Sequence, residues 1–453
     1  MNPNIATIEP DAAAPAATKR TPADFPLYAP GAPGRGPTLA VNRDPVGYHL
    51  KAVELHGPIY RTTYHGVESL CIGGLEANEF VWRNSALWDY GVTRASFLEQ
   101  FGTNYLTGLN GEPHKDKRRR LNPAFRPDFL LAAHPKMSAT VRSRIGAVAG
   151  RPVELRQLCH SLLLNMTAES LLGLAVPLAM QRAIIRVERD LLLGGGKGPG
   201  REAWFKRPVY LRAKEKVVAY LGRLAERWMA DPATAPEMFQ AILREPAEDE
   251  APLTRNELLG DIYLLLTGGL NSTANVTLWT LMYVYSNPEW LAQLRAEIQA
   301  VPPERFTSMK DWPRIKATVL EVERLRPPTP INTLIPVADF EYQGIAIRKG
   351  WPVTHFLSLT HFLPEIYQDP GRFRPERFLG DVTYPPKAHA AFGGGAHMCI
   401  GMPLARLEVP LILANILPRY DLTFRGVPSF AARHGAALTP RERGLWATLQ
   451  PRA

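Results

Sequence analysis

Cysteines and long apolar runs are both scarce in this chain. Its 453 residues include only three cysteines, Cys71, Cys159 and Cys399. Three are too few for a disulfide framework, and they favour a reducing, cytoplasmic location. No stretch reaches the roughly 18 uninterrupted apolar residues typical of a membrane-spanning helix. The N-terminus also lacks the basic start and apolar run of a secretory signal. The sequence therefore predicts a protein with no membrane span.

Acidic residues are in the minority. Lys and Arg number 53 against 43 Asp and Glu, which gives a formal net charge of +10. Such a balance suits an anionic partner, which could be nucleic acid, a membrane surface or an acidic protein. A basic run lies at residues 118–120, but no aromatic-interleaved motif accompanies it. Nucleic acid is therefore not the expected partner.

The chain has no internal repeat, and no long linker follows residue 40. Residues 1–25 are rich in Ala, Pro and Thr and predict a disordered tail. Residues 26–453 predict a single domain, mainly α with a small β region. Apolar periodicity and turn residues predict a hairpin formed by residues 58–63 and 67–73, and helices over 44–56, 114–121, 154–174, 178–193 and 207–229.

The strongest predicted helix begins at Thr254, which has capping-box spacing with Glu257. Its apolar character continues to about residue 285. Gly268 and Gly269 lie in its middle, where each costs about 1 kcal/mol relative to Ala. Two interpretations of these glycines stay open: close packing against another helix, or a flat, bulky group lying against this face.

One cysteine lies in an unusual setting. Residues 392–401 read F-G-G-G-A-H-M-C-I-G, and a helix is predicted just after them, with Pro403 in its first turn. Cys399 thus lies beside a helix N-terminus, where backbone N–H groups favour a thiolate. Glycines let a flat ligand approach the backbone. Although a lone cysteine is usually a small buried side chain, this arrangement suits a ligand of haem iron.

The segment resembles the haem-binding signature of the cytochrome P-450 family, F-x-x-G-x-(R/H)-x-C-x-G. The matching residues are Phe392, Gly395, His397, Cys399 and Gly401. The resemblance covers roughly residues 30 to 450. It implies a cytochrome P-450-like fold with a long central helix over the haem, one haem b as cofactor, and Cys399 as the iron ligand.

Two further segments match the family in the expected order. E-V-E-R at 321–324 and F-R-P-E-R-F at 373–378 imply a buried structural core of Glu321, Arg324 and Arg377. Without the resemblance, Glu321 and Arg324 would be a surface ion pair worth under about 1 kcal/mol.

The basic segment G-E-P-H-K-D-K-R-R-R at 111–120 also matches. His114 and Arg118 are four residues apart and share one helical face. The resemblance implies that they hydrogen-bond the haem propionates. Taken alone, a basic helix is more often a solvated surface.

The sequence G-G-L-N-S-T at 268–273 corresponds to the family's oxygen-pocket motif A/G-G-x-D/E-T. Gly268 and Gly269 match, while Asn271 and Ser272 replace the usual carboxylate and threonine. Thr273 follows them. We take Asn271, Ser272 and Thr273 as the candidate catalytic residues. Because Asn cannot ionise, the proton route must differ from the usual acid–alcohol pair.

The resemblance implies an oxidoreductase, a haem-thiolate monooxygenase that inserts one oxygen atom from O2 into an apolar, medium-sized substrate. That substrate class includes terpenoids, steroids, fatty acyl chains and polyketides. Electrons would come from NAD(P)H through an acidic ferredoxin or flavodoxin-type protein. The expected pocket residues are Leu265, Leu266, Ile331, Asn332 and Leu334, the last of which stands where family members often carry an arginine.

Two alternatives stay open. A haem-thiolate peroxygenase, or an enzyme that rearranges a substrate peroxide, needs no acid–alcohol relay, and the replacements Asn271 and Ser272 favour it. A haem-based sensor or binding protein would bind haem without turnover. The set of four matching motifs makes the sensor the weaker of the two.

Overall fold

The computed structural model describes residues 20–30, 38–64, 67–102, 104–194, 199–243, 252–434, 438–441 and 444–452. Within these ranges the chain is mainly helical, and its strands form small sheets. None of the helices described there is both long and apolar enough to cross a membrane.

The helices are numbered in chain order. They are α1 (Thr38–Arg43), α2 (Pro45–His56), α3 (Leu75–Arg83), α4 (Ala95–Phe101), α5 (Gly111–Leu121), α6 (Pro127–Gly146), α7 (Leu155–Asn165), α8 (Leu178–Leu193), α9 (Pro199–Phe205), α10 (Pro208–Ala230), α11 (Glu237–Ile242), α12 (Arg255–Thr267), α13 (Leu270–Tyr285), α14 (Pro288–Ala300), α15 (Pro313–Leu325) and α16 (Met402–Ile416).

The strands are β1 (Leu27–Tyr28), β2 (Ile59–Tyr64), β3 (Val67–Gly73), β4 (Trp88–Asp89), β5 (Pro152–Glu154), β6 (Asn332–Pro336), β7 (Phe340–Tyr342), β8 (Ile345–Ile347), β9 (Val353–Phe356), β10 (Tyr420–Phe424), β11 (Ala432–His434), β12 (Leu438–Pro440) and β13 (Trp446–Pro451). In the described ranges the largest sheet has the order β1-β2-β3-β9-β6-β4. The predicted hairpin forms its β2–β3 pair, with Tyr60 opposite Cys71. The turn at His65-Gly66 lies outside the described residues.

Capping explains where several helices begin. The Asp44 carboxylate accepts a hydrogen bond from the Gly47 N–H at the start of α2. Thr254 and Glu257 form the predicted capping box at the start of α12. Proline occupies the first turn of α14, α15 and α16, where its missing N–H costs nothing.

The long helix predicted from Thr254 to about residue 285 is correct in extent but wrong in continuity. The structure divides it into α12 and α13 at Gly268 and Gly269. The departure is small, because Gly268 keeps helical angles and only Gly269 opens, with φ −94° and ψ −11°. The Thr273 N–H still donates to the Gly269 carbonyl at 2.8 Å.

Three other boundaries differ from the predictions. The helix predicted over 154–174 ends as α7 at Asn165 and continues as a π-helical turn, Met166–Leu171. The basic helix begins three residues earlier, at Gly111. The disordered tail predicted over 1–25 extends too far, because residues 22–24 form a helical turn and Phe25 is buried against the large sheet. Residues 1–19 lie outside the described residues.

Candidate haem site

A cavity of about 380 Å³ lies between helices and a loop. Its lining comes from α5, the junction of α12 and α13, β6, the first turns of α16 and the loop 391–401. The lining is mostly apolar, but it includes one thiol and several basic groups. The volume falls within the usual range for a small-molecule or cofactor site.

The loop that carries Cys399 is folded tightly. The Cys399 N–H donates to the Phe392 carbonyl at 3.0 Å. Gly395 adopts a left-handed backbone, with φ +64°, and a Cβ added there would lie 2.3 Å from the Trp82 carbonyl oxygen. A Cβ on Gly394 would meet the Trp82 ring at 2.4 Å. The glycines therefore let this loop pack directly on α3.

The thiol of Cys399 is accessible within the cavity that it lines, although protein surrounds that cavity. The surrounding protein desolvates the thiol and so raises its pKa, against the opposing effects of the Gly401 and Met402 N–H groups and of the Arg118 charge. Since Gly401 caps α16, these N–H groups belong to a helix N-terminus. A metal ion bound at Sγ would supply the positive charge that deprotonates the thiol. The donor is therefore suited to iron, with N–H groups placed to bond the sulfur.

Three rings stack at another part of the cavity wall. The centroid of His397 lies 3.6 Å from that of Tyr90 and 3.9 Å from that of His114. Arg118, one turn after His114 on α5, also lines the cavity. The sequence therefore brings His114, Arg118 and His397 together, as the resemblance implied.

These basic groups have no acidic counterpart. Burial, together with the charges of His114 and Arg118, lowers the pKa of His397 to about 3. Burial also lowers the pKa of His114 and of Arg118. No carboxylate of the described ranges forms an ion pair with Arg118. An anionic ligand would relieve this shortage of negative charge, so the cluster fits the propionates of a haem whose iron is bound by Cys399.

Helices α12 and α13 line the same cavity with one face, around their junction. Gly268, Gly269, Ser272 and Thr273 are all lining residues, which agrees with a helical repeat of about 3.6 residues. Asn271 does not line the cavity. Its side-chain oxygen instead lies 3.1 Å from His160 Nε2 on α7, in a partly buried contact. The side chain of Asn271 is therefore on another face of the helix, and a catalytic role for it stays a prediction.

Three of the five expected pocket residues line the cavity, namely Leu265, Asn332 and Leu334. Leu266 does not, because it is about 100° around the helix from Leu265 and packs in the main core. Ile331 does not line it either, since it packs against the small cluster around Tyr60 and Phe356. The structure therefore places neither Leu266 nor Ile331 in the lining of this cavity.

The structural core is present, away from the cavity. Arg324 donates from Nε and Nη2 to the two oxygens of Glu321, at 2.8 and 2.9 Å. Arg377 Nε reaches the same carboxylate at 3.1 Å. Arg324 and Glu321 are fully buried, and Arg324 Nη1 also donates to the carbonyls of His361 and Pro370. The group ties α15 to the segment that precedes the Cys399 loop.

Sequence reasoning missed several lining residues, including Tyr90, Arg94, Leu264, Leu357 and Glu408. Leu264 could have been found from the helical spacing of Gly268, which is four residues later. No sequence signal distinguishes Tyr90 or Arg94, because both come from short irregular segments between β4 and α4.

Three features meet in this cavity: a thiol, basic groups that lack an anion, and a helix junction lined by glycines. Together they define a haem-thiolate protein. The comparisons give the family. Residues 212–445 match cytochrome P450, written here P-450, and the chain belongs to that family. As a member of this family, it binds haem b and is a monooxygenase.

Named relatives share about a quarter of the sequence. The chain is 27% identical to cytochrome P-450 120 of Synechocystis sp., over 89% of this chain and 90% of the relative. It is 27% identical to cyclooctat-9-en-7-ol 5-monooxygenase of Streptomyces melanosporofaciens, over 88% of this chain and 90% of the relative. Among solved structures, the retinoic acid-bound cyanobacterial CYP120A1 matches with a TM-score of 0.83 and 24% identity, over 96% of this chain and 100% of that one.

Proposed function

We propose that this cytochrome P-450 inserts one oxygen atom from O2 into an apolar, medium-sized organic molecule. The observation that carries the proposal is that Cys399, Ser272 and Thr273 line one cavity, with an otherwise largely apolar lining. Leu106, Leu264 and Leu334 offer apolar surface to a substrate. Haem iron, when bound, supplies the oxygen-activating chemistry, and a thiolate ligand favours O–O cleavage.

The residues of this chain bind and orient the reactants. Cys399 holds the iron, while His114, Arg118 and His397 hold the propionates and so fix the haem's orientation. Apolar side chains exclude water from the substrate side. The hydroxyl groups Ser272 Oγ and Thr273 Oγ1 lie on the wall of the same cavity and can pass protons there.

Electrons come from NAD(P)H through separate redox proteins in this proposal. The net charge of +10 supports an acidic ferredoxin or flavodoxin-type partner, because opposite charges steer such encounters. The three cysteines are free, which supports a cytoplasmic location. Two relatives bear the names of a cyclooctat-9-en-7-ol monooxygenase and an abscisic acid 8'-hydroxylase, and both names support a substrate with a carbon skeleton of moderate size.

One observation favours a second candidate, a haem-thiolate peroxygenase. The position that holds an acid in the family motif is Asn271, and its side chain contacts His160 outside the cavity. A carboxylate relay is therefore missing at that position. Hydrogen peroxide already contains the two protons and two electrons by which it differs from O2, so a reaction driven by it depends less on such a relay.

Two measurements test the proposal. Titration of the ferric holoenzyme with a panel of terpenoids, steroids and fatty acyl compounds should shift the main haem absorption band to shorter wavelength for the binding class. Turnover of that class is then compared with NAD(P)H, a ferredoxin and its reductase, and with hydrogen peroxide alone. The proposal expects product from the first system. Product from peroxide only would favour the second candidate.

A further inference from the structure

The cavity contains an arginine that none of the roles above uses. Arg94 ends a short helical turn, Val92–Arg94, between β4 and α4. It lines the same cavity as Cys399 and the junction of α12 and α13. It is only partly exposed, and that exposure is directed to a space lined mainly by apolar groups. A guanidinium carries five N–H donors and is always charged in proteins.

The guanidinium of Arg94 has no hydrogen-bond or ion-pair partner in the described part of the chain. Tyr105 and, on α8, Glu188 interact with it electrostatically, but Glu188 does not form an ion pair with it. A Glu188 oxygen accepts a hydrogen bond from the Tyr263 hydroxyl at 2.7 Å, and Glu188 does not line the cavity. Burying charged N–H groups without acceptors is costly, so the arrangement favours a ligand that supplies them.

The proposed function places the haem propionates with the cluster of His114, Arg118 and His397. Two members of that cluster, His114 and Arg118, belong to α5, and His397 stacks on His114. Arg94 instead interacts electrostatically with Tyr105 and Glu188, near the buried Tyr263 of α12. Glu188 belongs to α8 and is bonded to Tyr263 on α12, the helix that also carries the apolar Leu264 and Leu265.

The cavity as a whole lacks negative charge. Its lining residues with fixed charge are Arg94 and Arg118, and the one carboxyl group among them is Glu408. Burial raises the pKa of Glu408 to about 8, and its Oε1 accepts a hydrogen bond from Thr167. Once Arg118 is paired with a propionate, Arg94 is left as the single unpaired charge.

We propose that Arg94 selects substrates that carry one carboxylate, whose two oxygens it binds while the carbon skeleton lies along the apolar wall. The fork of the guanidinium matches a carboxylate in shape and in charge. One arginine balances one negative charge, so a monocarboxylate fits better than a phosphate ester. This inference rests on the proposed function, because it narrows the substrate class of the same cavity.

The test compares acids with their own methyl esters. Hexadecanoic acid and methyl hexadecanoate form one pair, and abietic acid and methyl abietate form another. Each is titrated against the ferric holoenzyme by haem absorbance and by calorimetry. We expect the acid of at least one pair to bind about tenfold or more tightly than its ester. Arg94→Gln should remove that preference and leave ester binding within about twofold. Arg94→Lys should keep part of it.

Arg83→Gln is the matched control, since Arg83 is an exposed arginine on α3 paired with Glu79. It should keep the wild-type ratio. Equal binding of acid and ester to the wild type, or binding of neither acid, would overturn the proposal. So would loss of haem from Arg94→Gln, which would place Arg94 with the propionates. Failure of the proposed function is separate, because it would show as turnover independent of NAD(P)H and O2 while the acid preference persists.

Discussion

The imidazole of His397 lies flat against that of His114, with ring centroids 3.9 Å apart and an angle of 21° between the planes. One residue belongs to the Cys399 loop and the other to α5, so the stack joins the iron-ligand segment to the basic helix. Arg118 extends the same cluster. Because burial and neighbouring positive charges lower the pKa of both imidazoles, Arg118 is the permanently charged member of this cluster and the one proposed to pair with a propionate.

Removing that charge should weaken haem binding. We expect Arg118→Gln to lose haem to apomyoglobin about tenfold or more faster than the wild type, because a charge-assisted hydrogen bond contributes roughly 1.5–3 kcal/mol. Arg119→Gln is the control, since Arg119 is exposed and pairs with Asp116 on the surface. Equal rates of haem loss for the two variants would contradict the assignment.

Breaking the buried ion pair of α15 should destabilise the fold. Arg324→Gln leaves the Glu321 charge with Arg377 as its remaining partner, and we expect a loss of roughly 3 kcal/mol in the free energy of unfolding. Urea titration followed by circular dichroism measures it. Arg374→Gln removes a partly exposed ion pair with Asp369 and should cost less than about 1 kcal/mol. Similar losses of unfolding free energy in both variants would show that the buried pair stabilises the fold no more than the exposed pair does.

The hydroxyl groups at the junction of α12 and α13 should control how much product forms for each NAD(P)H consumed. We expect the double variant Ser272→Ala, Thr273→Ala to consume NAD(P)H with a smaller yield of product, because a proton donor is lost from the cavity wall. Peroxide-driven turnover should fall less. Asn271→Asp should not improve the yield, since that side chain lies against His160. An unchanged yield in the double variant would exclude these hydroxyls from proton transfer.

The buried carboxyl groups predict how stability depends on pH. The pKa values of Glu408, Glu188 and Glu323 are raised by burial to about 8, 7 and 7. A raised carboxyl pKa means that the folded state binds more protons, so the free energy of unfolding falls as pH rises. The buried histidines His49 and His355, whose pKa values burial lowers to about 3, act in the opposite sense only below about pH 6.5.

Between pH 6.5 and 8, therefore, stability should fall with rising pH. Glu408→Gln removes the largest of these contributions, so its melting temperature should fall less than that of the wild type across this interval. Differential scanning calorimetry at pH 6.5 and 8 measures both. The exposed Glu304 provides the control variant Glu304→Gln, which should behave as the wild type. A parallel decline in wild type and Glu408→Gln would contradict the prediction.

Much of the fold was predictable where local signals are strong. The capping box of Thr254 and Glu257 places the start of α12 correctly, and turn and apolar patterns place the β2–β3 hairpin. The break at Gly268 and Gly269 was not predictable, because the same sequence is compatible with a continuous helix and with an opened one. Tertiary contacts decide between the two. The π-helical end of α7 lacks a local signal for the same reason.

The site was predictable where the residues lie in contiguous motifs. Cys399, His397, His114 and Arg118 line one cavity as expected. The sequence was less informative about which way a side chain faces: Leu266 and Asn271 share a helix with residues that line the cavity, but neither lines it. Arg94 was missed because its position depends on how the segment after β4 folds over the cavity, which no spacing rule conveys.

Labelling with isotopic dioxygen tests the central claim most directly. The holoenzyme is supplied with NAD(P)H, a ferredoxin and its reductase, and a compound that shifts its haem band, under labelled O2. The account predicts one labelled oxygen atom in each product molecule, with NAD(P)H consumed, and no label in the product of the Cys399→Ser variant. Product that forms only with peroxide, and carries no oxygen from O2, would contradict it.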